Sequence, residues 1–255
     1  MALLTDGLLN TSGALQQYEN AILGVAATEE IDVTAKASLA QEEIATHLHL
    51  FLDRSALHSR EFLVRRHVDV RHIVVTRPLK RWHAYRTLAM IYRDAYNNQL
   101  NDRYQGKWTE YETLAAGAEQ VFYRAGAGIV QNPVPRASEP LLTTIPLGVS
   151  GISYYVRISW INAFRQEGCA SEIQQATTSD GSAMVVASAE GPEGIDSWNV
   201  YAGSGPESVQ LQNATPIPIA GTWILPPNGL ISGKAPGDGQ TPEWWIVDRH
   251  VLPRG

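Results

Sequence analysis

Proline limits most sharply what this chain can fold into. It occurs once in residues 1–130, at Pro78, and 13 times in residues 131–255. Glycine follows the same division, with 7 in the first part and 14 in the second. Proline lacks an amide proton and fixes φ, so the second part cannot sustain long helices. Its Gly/Pro punctuation suits short strands joined by tight turns, whereas the first part has the makings of helices. The expected fold is multidomain, α plus all-β: an antiparallel helical bundle over 1–130, a Pro-rich linker over 131–149, a β-sandwich over 150–230, and a Gly/Pro-rich arm or final strand over 231–255. The linker contains Pro133, Pro135, Pro140 and Pro146, which favour extended backbone.

The period of the apolar residues supports this division. Leu79, Trp82, Tyr85, Ala89, Tyr92, Tyr96 and Leu100 recur every three or four residues after Thr76 and Pro78, as one face of a long helix does. Leu39, Ile44, Leu48 and Leu52 mark a helix from Asp32 or Thr34 to about Leu52, with Glu42 and Glu43 expected on its solvent side. A further helix is expected from Gly13 to Ala27, and another around Trp108, Tyr111, Leu114, Ala115 and Ala118. Val68–Val75 fits a strand by its β-branched content and a short helix by its position. From Tyr154 the period becomes two, with Val156, Ile158 and Trp160 alternating against Tyr155, Arg157 and Ser159. Cys169–Ile173, Ala183–Ala187, Ser197–Tyr201, Val209–Leu211 and Gly221–Leu225 read as further strands.

Charge is distributed unevenly. The net charge is -6, yet residues 54–93 hold ten Lys/Arg against two acids. This belt comprises Arg54, Arg60, Arg65, Arg66, Arg71, Arg77, Lys80, Arg81, Arg86 and Arg93. Its three readings are a solvated face, a docking surface for an acidic partner, and a surface facing double-stranded DNA. The overall acidity does not suit a protein that coats naked nucleic acid.

His47 and His49 are two apart, so on a helix they point to different sides. His67 and His72 lack a metalloprotease context. Gly126-Ala127-Gly128 follows a helix rather than a strand and lacks the rest of a dinucleotide fingerprint, and Gly203-Ser204-Gly205 is not a nucleophile elbow. Cys169 is the single cysteine, which excludes an intrachain disulfide. The expectation is a protein that is not an enzyme and uses no cofactor or metal. The N-terminus has no basic flank and no apolar run approaches bilayer length, so neither a signal peptide nor a membrane span is expected.

Two family resemblances accompany these patterns. Tyr154–Asn162, Glu167–Glu172 and Ile195–Gly203 resemble strands of fibronectin type III modules, in an unusual order. That likeness implies an immunoglobulin/fibronectin-like sandwich without specifying chemistry. Leu39-Ala40-Gln41-Glu42-Glu43-Ile44, Leu79-Lys80-Arg81-Trp82-His83-Ala84-Tyr85 and Tyr92-Arg93-Asp94-Ala95-Tyr96 resemble bacteriophage head–tail connector (adaptor) proteins. This second likeness implies a virion protein of the neck, assembled in the host cytoplasm as a dodecameric ring between portal and tail, with DNA passing through its channel. Trp244, Trp245 and Ile246 would then anchor the arm, either as a final strand on the same domain or in a neighbouring subunit. The competing expectations are a tail- or fibre-associated module that binds carbohydrate or another virion protein, and an enzyme with a dispersed site.

Overall fold

The computed structural model describes residues 2–58, 68–99, 102–146, 152–178, 181–188 and 191–247. It shows a mixed multidomain protein, with a helical N-terminal region and β-sheets in the C-terminal half. The chain divides into two units. One comprises Gly7–Gln131 and Pro242–Gly255, the other Met1–Asp6 and Asn132–Thr241.

The helical unit contains α1 (Ser12–Gln16), α2 (Ile22–Thr28), α3 (Val33–His58), α4 (Arg77–Gln99) and α5 (Gln105–Ala125). The single helix expected over Gly13–Ala27 is thus two short ones, and Thr11 caps the first by accepting from Ala14 N. Asp32 starts α3 by accepting from the backbone amides of Thr34 and Ala35, at 2.8 and 3.0 Å. Helix α3 buries Ala37, Ala40, Ile44, Leu48 and Phe51. Leu39, expected in that stripe, is 44% exposed, because alanines at 37 and 40 bring the backbones together and take the inward face. Helix α4 packs against both α3 and α5. It buries Leu79, Trp82, Leu88, Ile91 and Tyr92, so its apolar surface extends beyond one stripe. Aromatic contacts join the helices: Trp82 lies 5.7 Å from Phe122, and Tyr92 stacks on Tyr111 at 5.6 Å.

Val68–Val75 forms neither a full strand nor an α-helix. A 3-10 turn at Val70–His72 is capped by Asp69, and Ile73 then bridges to Ile129. Ile129 belongs to β1 (Ala127–Ile129), which pairs antiparallel with β10 (Trp244–Ile246). The C-terminal segment therefore joins the helical unit of its own chain rather than the sheets. Gly126 and Gly128 make this possible. A Cβ on Gly128 would stand 2.6 Å from Pro242 Cγ, and one on Gly126 would stand 2.8 Å from Val247 Cγ1. Both glycines admit a closely packed second backbone.

The β unit has two sheets. One has the order β2 (Leu141–Ile145), β5 (Ala183–Ala187), β9 (Thr222–Ile224). The other has the order β4 (Gln174–Thr177), β3 (Ser153–Asn162), β6 (Ile195–Gly203), β7 (Gln210–Leu211), with β8 (Ile217–Pro218) also on β6. Val156, Ile158 and Trp160 of β3, Trp198 and Val200 of β6, Met184 and Val186 of β5 and Trp223 of β9 form a single apolar core. Trp160 and Trp198 are register partners and both are buried.

The unit boundaries differ from those expected. Strand β2 lies inside the Pro-rich stretch, since Pro140 and Pro146 flank it without interrupting it. Cys169–Ile173 is irregular, and the strand follows at Gln174. Met1–Asp6 joins the β unit because the Asp6 carboxylate accepts from Leu3 N at 2.7 Å and Arg136 N at 2.8 Å.

Candidate functional site

Among the described residues, the cations of the basic belt do not share one environment. Arg60, Arg65 and Arg66 lie outside the described residues. Arg86 is committed within the helical unit: its guanidinium donates to Glu43 on α3 at 3.0 Å and to Glu112 on α5 at 3.0 Å. Arg86 is thus engaged within its own unit, and Glu43, expected on the solvent side of α3, is half-buried against it. A half-buried helix crossing can retain an arginine here because both carboxylates accompany it. Arg71 is paired with Asp69 at 2.7 Å. Arg93 is half-buried beside Asp94, and Asp94 also pairs with Lys36. Arg54 is exposed and its Nε donates to Leu50 O at 3.2 Å.

Arg77, Lys80 and Arg81 are different. All three are exposed in the first two turns of α4, and none has a carboxylate partner among the described residues. Arg81 instead donates to Tyr85 Oη at 3.2 Å and lies over its ring. The N-terminal end of a helix already carries partial positive charge, so each added cation there costs about 0.3–1 kcal/mol. The chain carries three cations where the helix disfavours them, which is unfavourable for folding and favourable for meeting an anionic surface.

The C-terminal anchor candidates are occupied within the chain. Trp244 is half-buried, Trp245 is 49% exposed, and both pair with β1. Glu243 reinforces the contact: its amide donates to Ile129 O at 2.8 Å and its carboxylate accepts from Gln131 N at 3.0 Å.

Two polar centres had no distinguishing sequence motif. The first is His83, fully buried between α3 and the segment before α1. Its Nε2 donates to Ala37 O at 2.9 Å, and its Nδ1 accepts from Asn10 Nδ2 at 2.9 Å. Burial lowers its pKa below 6.5 against the opposing hydrogen bond to Ala37. A proton on Nδ1 would face the Asn10 amide donor. Because the unfolded chain binds that proton more readily, stability is full above about pH 6.5 and falls as the pH drops below it, by at most ~1.4 kcal/mol per unit. Urea titrations from pH 7.5 to 5 should show that slope, and His83→Phe should remove it.

The second centre is Glu167, on the outer side of the larger sheet. Its Oε1 accepts from Ser159 Oγ at 2.5 Å, Asn199 Nδ2 at 3.0 Å and Tyr201 Oη. Its Oε2 meets Lys234 Nζ at 3.1 Å. Burial raises its pKa, but these four donors outweigh that and hold the carboxyl below its usual range. Burial, and then the bond to Glu167, raises the Tyr201 hydroxyl. A carboxylate so fully engaged fixes the strands and the 231–240 segment in place. The only sequence signal was the alternation of Ser159 and Asn199 with the core tryptophans, which many strands share.

Among the described residues, no group of three or more His, Cys, Asp and Glu side chains is placed to hold a metal ion. No helix there is long and apolar enough to cross a membrane. Comparison with protein-family models gives no match, and comparison with curated proteins gives none either.

Proposed function

We propose that this chain is a virion structural protein, a head-to-tail adaptor that forms a dodecameric ring between the portal and the tail of a tailed bacteriophage and borders the DNA channel. In this reading it catalyses no reaction and needs no cofactor. The observation that carries the proposal is the exposed cluster Arg77, Lys80 and Arg81 at the positive end of α4, which suits an acidic protein surface. The remaining described cations of the belt have contacts within their own unit, so docking falls to this end of the helix. The ring and its copy number rest on the resemblance of the α3 and α4 segments to connector proteins. The β unit is read as an immunoglobulin/fibronectin-like sandwich, supported by the β4-β3-β6-β7 order, the β2–β5 pair opposite and their common tryptophan core.

Charge reversal tests docking. Arg77→Glu, Lys80→Glu and Arg81→Glu together should stabilise α4 by about 1–2 kcal/mol, since acids suit a helix N-terminus. The same variant should lose about tenfold or more in incorporation into particles, with virion content measured by mass spectrometry. A variant that gains stability and still assembles normally has only a solvated face at this site. Imaging that finds the chain on a fibre rather than the neck would replace the adaptor proposal with the tail-module one.

A further inference from the structure

The outward face of α5 carries a pattern that no role described above uses. Glu112 and Glu119 are directed inward, to Arg86 and His47, each at 3.0 Å. The exposed face is left with Glu110, Thr113, Leu114, Gly117, Val121 and Arg124. Leu114 is 37% exposed and Val121 53%. A Cβ added at Gly117 would meet nothing within 4 Å, so this glycine fills no internal need. At the N-terminal end of the same face, a shallow groove of about 590 Å³ is bordered by Asp102, Gly106, Thr109, Glu110 and Leu114. Its two charged border residues are acids. At the other end of the helix stands Arg124, exposed and without an ion-pair partner among the described residues.

We propose that the free chain associates with a second copy of itself through this face, with the two α5 helices antiparallel and a two-fold axis at Gly117. Residues equally distant from position 117 then meet. Glu110 and Arg124 each lie seven residues from it, about 10 Å along the axis at ~1.5 Å per residue. Arg124 of each copy therefore enters the other's acidic groove beside Glu110. Thr113 meets Val121, and the two Gly117 backbones cross where no side chain holds them apart. Two-fold symmetry makes the contact self-complementary, so a single patch supplies both sides. Glu110 also lies 3.4 Å from Lys107, an exposed pair that contributes little. Because subunits of a polar ring all point one way, this pairing belongs to the unassembled chain. It goes beyond the adaptor proposal and does not depend on it.

Sedimentation equilibrium of the purified full-length protein tests the proposal. The expected result is a reversible monomer–dimer equilibrium at low salt. Glu110→Arg or Arg124→Glu alone should weaken it by about tenfold, because each sets like charges together at two symmetric places. The double variant restores opposite charges and should return to within about threefold of the parent. Gly117→Leu should abolish the dimer while retaining or raising helix stability, since leucine is the better helix former. Circular dichroism confirms that each variant is folded. A monomer at every concentration, failure of the double variant to recover, or a dimer indifferent to Gly117→Leu would each overturn the proposal. Particle imaging bears on the ring alone, so either idea can fail without the other.

Discussion

Replacing Glu167 by alanine should destabilise the β unit by about 2–4 kcal/mol at pH 7, as expected when several donors lose one half-buried acceptor. Ser159, Asn199 and Tyr201 all donate to a single oxygen of Glu167. Tyr201 is fully buried in the folded protein, and its hydroxyl has its partner in Glu167. Glu167→Gln keeps an acceptor for these three groups and turns an amide toward Lys234, so about 1 kcal/mol is expected. The difference has a pH signature. The folded carboxyl titrates below its ordinary value, so its contribution is complete above about pH 4.5 and is lost as the pH falls through the folded pKa. Urea denaturation at pH 7 and in the acid range should therefore show parent and Glu167→Ala converging only on the acid side. Equal stability at pH 7 would remove the structural role assigned to this carboxylate.

Trp82→Ala should cost the helical unit ~3–5 kcal/mol, the range for deleting a large buried aromatic ring. Trp82 is 2% exposed. Its ring lies 5.9 Å from His47 on α3 and 5.7 and 5.8 Å from Phe122 and Tyr123 on α5. One side chain of α4 thus supports both neighbours, and its loss leaves a cavity that rigid helices cannot close. Trp82→Phe, which keeps part of the volume, should cost about half as much. Helical circular dichroism during urea titration provides the measurement. A loss below about 1 kcal/mol would mean that the three helices are held chiefly by something other than this seam.

The legible parts of the fold are those set by local repetition. Trp82, Tyr85, Ala89 and Tyr92 repeat at helical spacing, and the structure has α4 there, from Arg77 to Gln99. Val156, Ile158 and Trp160 alternate, and they line the core from β3. Periodicity places Leu39 in the stripe of α3, yet it is exposed, because periodicity gives a helix its apolar residues without saying how closely the next helix approaches. The alanines decided that. Gly126-Ala127-Gly128 lacks the rest of a nucleotide fingerprint in the sequence, and its use as a seat for residues 242–247 depends on chain more than a hundred positions away.

The candidate site follows the same division. The excess of cations between Arg54 and Arg93 is visible in composition. Which cations remain available is not, because an ion pair such as Arg86 with Glu43 and Glu112 spans three helices. By itself, the sequence determined where helix gives way to strand, since proline and apolar period act within a few residues of their own position. Only the tertiary structure decided that Met1–Asp6 joins the sheets, that Trp244–Ile246 joins the helices, and that Glu167 collects three donors from two strands. Each of those outcomes depends on satisfying buried polar groups and filling space between segments distant in the chain, and neither requirement leaves a periodic trace in the residues that meet it.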